Sequence, residues 1–306
     1  METRTFENVS RETLKKYFGV SHFFAAFAIE RKRSMVYNQN DLKIKKEVKV
    51  GKAIAIFNQK GGVGKTTTNI NLAACLALKG KKVLILDIDP QGNTTSGVGV
   101  SKKGLELTTH EILIEDDHHP AEAVIPTGVP NLDIMPASVQ LAGAEVELIN
   151  MAGREKRLKM AIDVLKPDYD YIFIDCPPSL GILTINSLTA VDSVLIPIQC
   201  EFYALEGVSQ LMRTIDIVRT HMNPGLEIEG VILSMFDGRT NLSAQVVEEV
   251  KKYFKEKVYT TVIPRNVRLA EAPSHGMPVI QYDPRSTGAQ AYMEFAEEFL
   301  ENERER

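Results

Sequence analysis

The chain has 306 residues, 44% of them hydrophobic and 25% charged, which excludes a disordered chain and is enough to bury a sizeable core. Its formal net charge of −4 is unevenly spread, with 12 Lys/Arg and 6 Asp/Glu in residues 1–52 and 24 Lys/Arg and 34 Asp/Glu in the remainder. The body as a whole therefore repels phosphate, and any affinity for nucleic acid must come from a local patch or from the N-terminal arm.

Along the chain, the first 52 residues carry no recognisable motif and are expected to form a poorly ordered basic extension, with a DNA- or lipid-touching arm and a true start at Met35 as the alternatives. The apolar run Phe23–Ile29 is too short to cross a membrane, and Glu30 with Arg31-Lys32-Arg33 follows it without a cleavage site, so neither a membrane span nor secretion is expected. Cys75, Cys176 and Cys200 lie far apart in apolar segments, a pattern of buried thiols in a reducing cytosol rather than of disulfides or a CxxC metal site.

From residue 53 onward, apolar runs of strand length alternate with helix-length segments. The runs are Ala53–Phe57, Val83–Leu86, Tyr171–Ile174, Val194–Ile198 and Val231–Leu233. They are apolar throughout rather than alternating, as befits strands covered on both faces. Helices are expected over Thr67–Lys79, closed by Gly80, over Ala204–His221, closed by Asn223-Pro224, and over Gly288–Leu300. The order predicts an α/β fold, a mostly parallel twisted sheet with helices on both faces.

The segment Lys60-Gly61-Gly62-Val63-Gly64-Lys65-Thr66-Thr67 stands between the first strand and the first long helix, the context in which a glycine-rich loop signals a phosphate site. Glycines let backbone N–H groups turn inward around phosphate oxygens, and the helix N-terminus adds its positive dipole end. Lys65 is placed to reach the β- and γ-phosphates of ATP, and the Thr66 hydroxyl to coordinate Mg²⁺. Where the general motif G-x-x-x-x-G-K-[ST] has its first glycine, this chain has Gln59, and a second lysine, Lys60, follows at once.

Two strand ends carry carboxylates. Asp87-Ile88-Asp89-Pro90-Gln91-Gly92-Asn93 closes the second run, and Asp175-Cys176-Pro177-Pro178-Ser179 closes the third. A strand C-terminus beside a phosphate loop is where such sheets bind ligands. Asp175 is expected near the Mg²⁺, Asp87 to order its loop, and Cys176 to be a small buried side chain. His118-His119 lies in a polar segment before Pro120 and reads as a solvated loop.

With the late segments Ser234–Leu242 and Ile263–Gly276 added, the chain resembles the ParA/Soj family of chromosome- and plasmid-partitioning ATPases over residues 52–300. That family shares the two-lysine loop with MinD, nitrogenase iron protein and arsenite ATPases. The resemblance implies a P-loop ATPase domain over residues 53–306 that hydrolyses ATP with Mg²⁺. Lys60 would reach across an ATP-dependent homodimer to the partner's nucleotide, Lys65 would act on the phosphates, and Asp89 would orient the attacking water. Pro264 and Asn266 would cradle the adenine, while His275 would be structural.

The resemblance also implies non-specific binding to double-stranded DNA, with Arg239 and Arg268 on its phosphates and Lys251, Lys252 and Arg219 as weaker candidates. A ParB-like centromere-binding protein would stimulate hydrolysis, and the protein would be cytoplasmic and nucleoid-associated. A MinD-like membrane switch is the alternative, but the acidic end Glu297–Arg306 would be repelled by anionic lipid. Electron transfer lacks the cysteine pair that a bridging cluster needs. The intact Lys65, Thr66, Asp89 and Asp175 argue against an inert binding module.

Overall fold

The computed structural model describes residues 50–201 and 204–305, so the extension expected over residues 1–52 lies outside the described residues apart from its last three. β1 (Lys52–Ile56) runs through the glycine loop into α1 (Lys65–Leu78) and β2 (Val83–Asp87), followed by α2 (Asn93–Gly97) and α3 (Thr109–Ile114). Next come β3 (Ile125–Pro126), β4 (Leu132–Met135), α4 (Leu141–Glu147), α5 (Arg157–Leu165), β5 (Tyr171–Asp175), α6 (Ile182–Ala190), β6 (Ser193–Gln199) and α7 (Ala204–His221). The last group is β7 (Glu227–Phe236), α8 (Asn241–Phe254), β8 (Val258–Pro264), α9 (Val267–Glu271), α10 (Val279–Tyr282) and α11 (Thr287–Glu305).

The eight strands make one sheet in the order β3-β4-β2-β5-β1-β6-β7-β8. Every neighbouring pair is parallel except β3 with β4. Alternate residues of each central strand enter opposite cores: Ala53 and Ala55 join the side that holds Leu158 and Leu211, while Ile54 and Ile56 join the side that holds Leu76 and Phe295. Burial on both faces explains why the central strands are apolar at every position.

β3, β4 and β8 were not among the strands expected from the sequence. β3 and β4 are short, and β8 is an edge strand whose Thr260 is exposed while Tyr259 and Ile263 are buried. Val258 and Val262 pack on the opposite core from Tyr259 and Ile263, but Thr260 and Thr261 interrupt the apolar run by which a strand covered on both faces is found.

α1 ends as its sequence demands. Gly80 takes φ +81° and donates to the Ala77 carbonyl, and Lys81 donates to the Leu76 carbonyl, the paired bonds of a left-handed helix stop that disfavours any side chain bearing Cβ. α1 starts two residues earlier than expected, at Lys65, because Gly64 in the left-handed region, with φ +91°, is its cap. α11 seals the same face of the sheet: the Phe299 ring stands edge-on to Tyr171 at 5.4 Å, and Phe295 edge-on to Tyr259 at 4.8 Å. Such ring pairs add about 0.5–1.5 kcal/mol each beyond the area they bury.

Candidate functional site

The order β2-β5-β1 brings the C-terminal ends of three strands side by side, next to the loop that joins β1 to α1. Ile56 of β1 pairs with Asp175 of β5, and Asp175 with Asp87 of β2. Two carboxylates therefore stand next to each other, fully buried, directly beside the loop that leaves β1.

That loop is held from both sides. The Asn58 amide donates to the Pro197 carbonyl of β6 at 2.8 Å, and its Oδ1 accepts from the Lys60 N–H at 3.0 Å. The Ser234 hydroxyl of β7 donates to the Val63 carbonyl at 2.8 Å. Between these anchors Gly61 and Gly62 are exposed, and Gly62 takes φ +75°. Val63 is buried, and Thr67 lies in the first turn of α1 with its carbonyl accepting from the Asn71 side-chain amide at 2.8 Å. The Lys65 ammonium lies inside the turn, 3.2 Å from the Lys60 carbonyl. Burial lowers the pKa of Lys65, and the nearby Asp175 and Asp89 carboxylates oppose that shift.

The cation side is equally defined. Asp175 Oδ2 accepts from the Thr66 hydroxyl at 2.7 Å and from the Thr94 hydroxyl at 2.8 Å. Its other oxygen, Oδ1, is buried and has no hydrogen-bond partner among the described residues. A buried carboxylate oxygen without a donor, next to a threonine hydroxyl at a helix N-terminus, fits a hard cation or one of its waters. Desolvation raises the pKa of both Asp175 and Asp87, and their mutual proximity adds to the rise at Asp87. A divalent cation would offset both effects.

Asp87 and Asp89 have separate tasks in the geometry. Asp87 Oδ2 accepts from the Thr95 N–H and hydroxyl at 2.8 and 2.7 Å, and its Oδ1 accepts from the Asp89 N–H at 3.2 Å, so it orders the loop as expected. Asp89, also buried, receives the Gln91 N–H at 2.9 Å on one oxygen, which leaves its second oxygen for another donor. Lys60 points away from its own loop and forms an ion pair with Glu201, just past the end of β6.

Pro264 closes β8 and pairs in register with Phe236 of β7. Asn266 caps α9, accepting from the Arg268 N–H at 2.9 Å and donating to the Thr287 hydroxyl at 2.8 Å. Both lie on the same edge of the sheet as the glycine loop, with β6 and β7 between. Arg239 follows the end of β7 in the turn before α8, and Arg268 lies in α9, just past the end of β8. Arg239 is exposed and forks onto Asp237 at 2.8 and 2.6 Å, and the pair holds the Asp237 carboxyl down at about 2. Arg268 meets Glu271 at 2.7 Å and Asp283 at 3.3 Å.

The remaining candidates make other contacts. Cys75, Cys176 and Cys200 are buried free thiols. The His275 ring stacks on Tyr282 at 4.8 Å. His118 Nε2 pairs with Glu115 at 2.8 Å in an exposed loop.

Asn58, Thr94, Thr95, Glu201 and Ser234 belong to this site and were not singled out by sequence. Only Thr94 and Thr95 carried a local signal, as hydroxyl residues just past the Asp89 turn. The Pro197 carbonyl that Asn58 binds, and the partners of Glu201 and Ser234, are far away in sequence.

A family model described as an AAA domain matches residues 51–228. The sporulation initiation inhibitor protein Soj of Bacillus subtilis is 62% identical over 253 residues, 83% of this chain and all of that protein. The chromosome partitioning protein ParA of Myxococcus xanthus is 52% identical over 255 residues, 83% of this chain and 89% of that protein. Among solved structures, a Mycobacterium smegmatis protein described as cobyrinic acid a,c-diamide synthase with bound ADP and magnesium superimposes with a TM-score of 0.71 at 40% identity, over 81% of this chain and 93% of that one. Identity of this order over 83% of the chain, on a sheet whose strand ends assemble the two-lysine loop with Asp87, Asp89 and Asp175, places the chain in the ParA/Soj family of partitioning ATPases.

Proposed function

We propose that this ATPase is a dimerisation switch, with residues 53–306 as its ATPase domain, that binds duplex DNA without sequence preference in its ATP state and serves chromosome or plasmid partitioning. The observation that carries the nucleotide part is the unpartnered, buried Oδ1 of Asp175 beside the Thr66 hydroxyl. Mg²⁺, bound there with ATP, supplies neutralisation of the phosphate charge. The protein residues do the rest. The Gly61–Gly64 backbone cradles the phosphates, and the Lys65 ammonium exchanges the Lys60 carbonyl for phosphate oxygens. In a desolvated site that positive charge acts strongly on the charge that develops during transfer. Asp89, held on one oxygen by the Gln91 N–H, uses the other to orient the attacking water.

Lys60 gives the switch its second half. Leaving Glu201, it reaches the nucleotide of a second copy, so that ATP becomes part of the dimer interface. Pro264 and Asn266 hold the base. The paired subunits present Arg239 and Arg268 to DNA phosphates, where guanidinium forks exchange a carboxylate for a phosphate without reading bases. A ParB-like partner stimulates hydrolysis and release, and the protein resides on the nucleoid.

A membrane target is disfavoured by α11. Its Phe295 and Phe299 are buried in the core, while Glu297, Glu298 and Glu303 bind Lys79, the Thr260 and Thr261 N–H groups, and Lys52. Among the described residues no helix is long and apolar enough to cross a membrane.

Light scattering with ATP, with ADP and without nucleotide tests the switch. Asp89→Ala is expected to accumulate as a dimer in ATP, and Lys60→Ala to stay monomeric while still binding ATP. A Lys60→Ala variant that dimerises like the wild type would remove the trans contact from the account.

A further inference from the structure

We infer that Thr94 is a positioning residue of the metal site, joining the cation-facing carboxylate Asp175 to the loop that carries Asp89. This rests on the nucleotide and Mg²⁺ reading of the site given above. Thr94 is fully buried, and its hydroxyl has an assigned direction: it donates to Asp175 Oδ2 at 2.8 Å and accepts from the Asn69 amide of α1 at 3.4 Å. One hydroxyl thus links α1, α2 and β5 at the point where the phosphate loop, the Asp89 loop and the cation-binding strand converge.

Two consequences follow from that geometry. First, with the Thr66 hydroxyl at 2.7 Å, Thr94 fills Oδ2 of Asp175 with two donors, so Oδ1 is the oxygen left for the cation or its water. The hydroxyl therefore chooses which face of the carboxylate the metal meets, the task that outer partners of metal ligands perform. Second, Thr94 is the second residue of α2, with Asn93 between it and the Asp89–Gly92 turn, which is closed by the Gly92 N–H on the Asp89 carbonyl at 2.8 Å. Thr95, next in the chain, binds Asp87 and accepts from the Ala137 N–H at 2.9 Å. Thr94 would thereby couple the position of Asp175, as a metal-holding carboxylate, to the turn that carries Asp89, while Thr95 fixes the far side. A threonine present only to fill space would do its work with its methyl group and leave the hydroxyl dispensable.

The test separates hydroxyl from shape. Thr94→Val keeps the volume and removes the donor, and Thr94→Ser keeps the donor. Mn²⁺ binding in the presence of ADP is titrated by electron paramagnetic resonance, and the Mg²⁺ concentration for half-maximal ATP hydrolysis is read in parallel. Thr94→Val is expected to weaken Mn²⁺ binding by about tenfold or more and to raise the Mg²⁺ requirement correspondingly, with Thr94→Ser near the wild type. If the valine variant does not melt cooperatively, Thr94→Ala is read in the same titration. A valine or alanine variant that binds Mn²⁺ like the wild type overturns the inference and leaves the site reading intact. A wild type whose nucleotide binding recruits no Mn²⁺ overturns both.

Discussion

The strand-end surface has two parts built on opposite terms. At β2-β5-β1, Asp87 and Asp175 are fully buried, and their oxygens are met by fixed hydroxyl and backbone donors except for the one that faces the site. At β7-β8, Arg239 stands in solvent on its own loop's Asp237, and the half-exposed Arg268 meets Glu271 and Asp283. An unmet buried carboxylate costs several kcal/mol in water-free surroundings, so the first region has one arrangement. A surface ion pair is worth about 0–1 kcal/mol, so the second can trade a carboxylate for a phosphate at little cost. The first region suits chemistry that needs fixed distances, and the second suits a ligand without fixed register.

Substitutions should divide along that line. The largest effect is expected at the buried end: Asp89→Ala should lower ATP hydrolysis by about 10²–10⁴-fold with ATP binding retained, as measured by phosphate release and nucleotide titration. Loss of binding in step with hydrolysis would move Asp89 from water placement to structure. Lys65→Ala should cost about 10²–10³-fold in turnover by removing a positive charge aimed at the phosphates. On the packing that supports this end, Phe299→Ala should destabilise by about 3–5 kcal/mol in denaturant titration, since the ring is fully buried against Tyr171 and Phe173.

The β7-β8 end should respond mildly. Arg239→Ala or Arg268→Ala should leave hydrolysis and melting nearly unchanged, weaken DNA binding severalfold, and reduce the slope of log affinity against log salt by about 1 each. A change in melting larger than about 1 kcal/mol at Arg239 would show that its bond to Asp237 is structural rather than exchangeable. At the bottom of the scale, Lys159→Ala, which breaks an exposed i,i+4 pair with Asp163 at 3.1 Å, should alter stability by about 0.5 kcal/mol or less.

How much of this was legible in the sequence follows the same division. β1, β2, β5 and β6 announce themselves as short apolar runs because helices cover both their faces, and α7 matches its expected span from Ala204 to His221. The start of α1 was placed late because Gly64, the cap, belongs to the loop motif and gives no helix signal of its own. Edge strand β8 has Thr260 and Thr261 inside its apolar residues and was passed over. In the site, Lys65, Thr66, Asp87, Asp89 and Asp175 could be found because loop and strand-end chemistry fix their spacing. Asn58, Glu201 and Ser234 could not, since their roles depend on carbonyls or charges brought close only by strand order, as with Ser234 and Val63, which are 171 residues apart. The pairing of Lys60 with Glu201 likewise exists only once β6 lies beside β1.

The most direct measurement is binding of the protein to a duplex DNA of arbitrary sequence with ATP, with ADP and without nucleotide, at two salt concentrations, for the wild type and Asp89→Ala. An ATP-gated DNA switch requires binding in ATP alone, weaker at the higher salt and longer-lived in Asp89→Ala. Equal binding in all three nucleotide states, or none in ATP from a protein that dimerises, would contradict it.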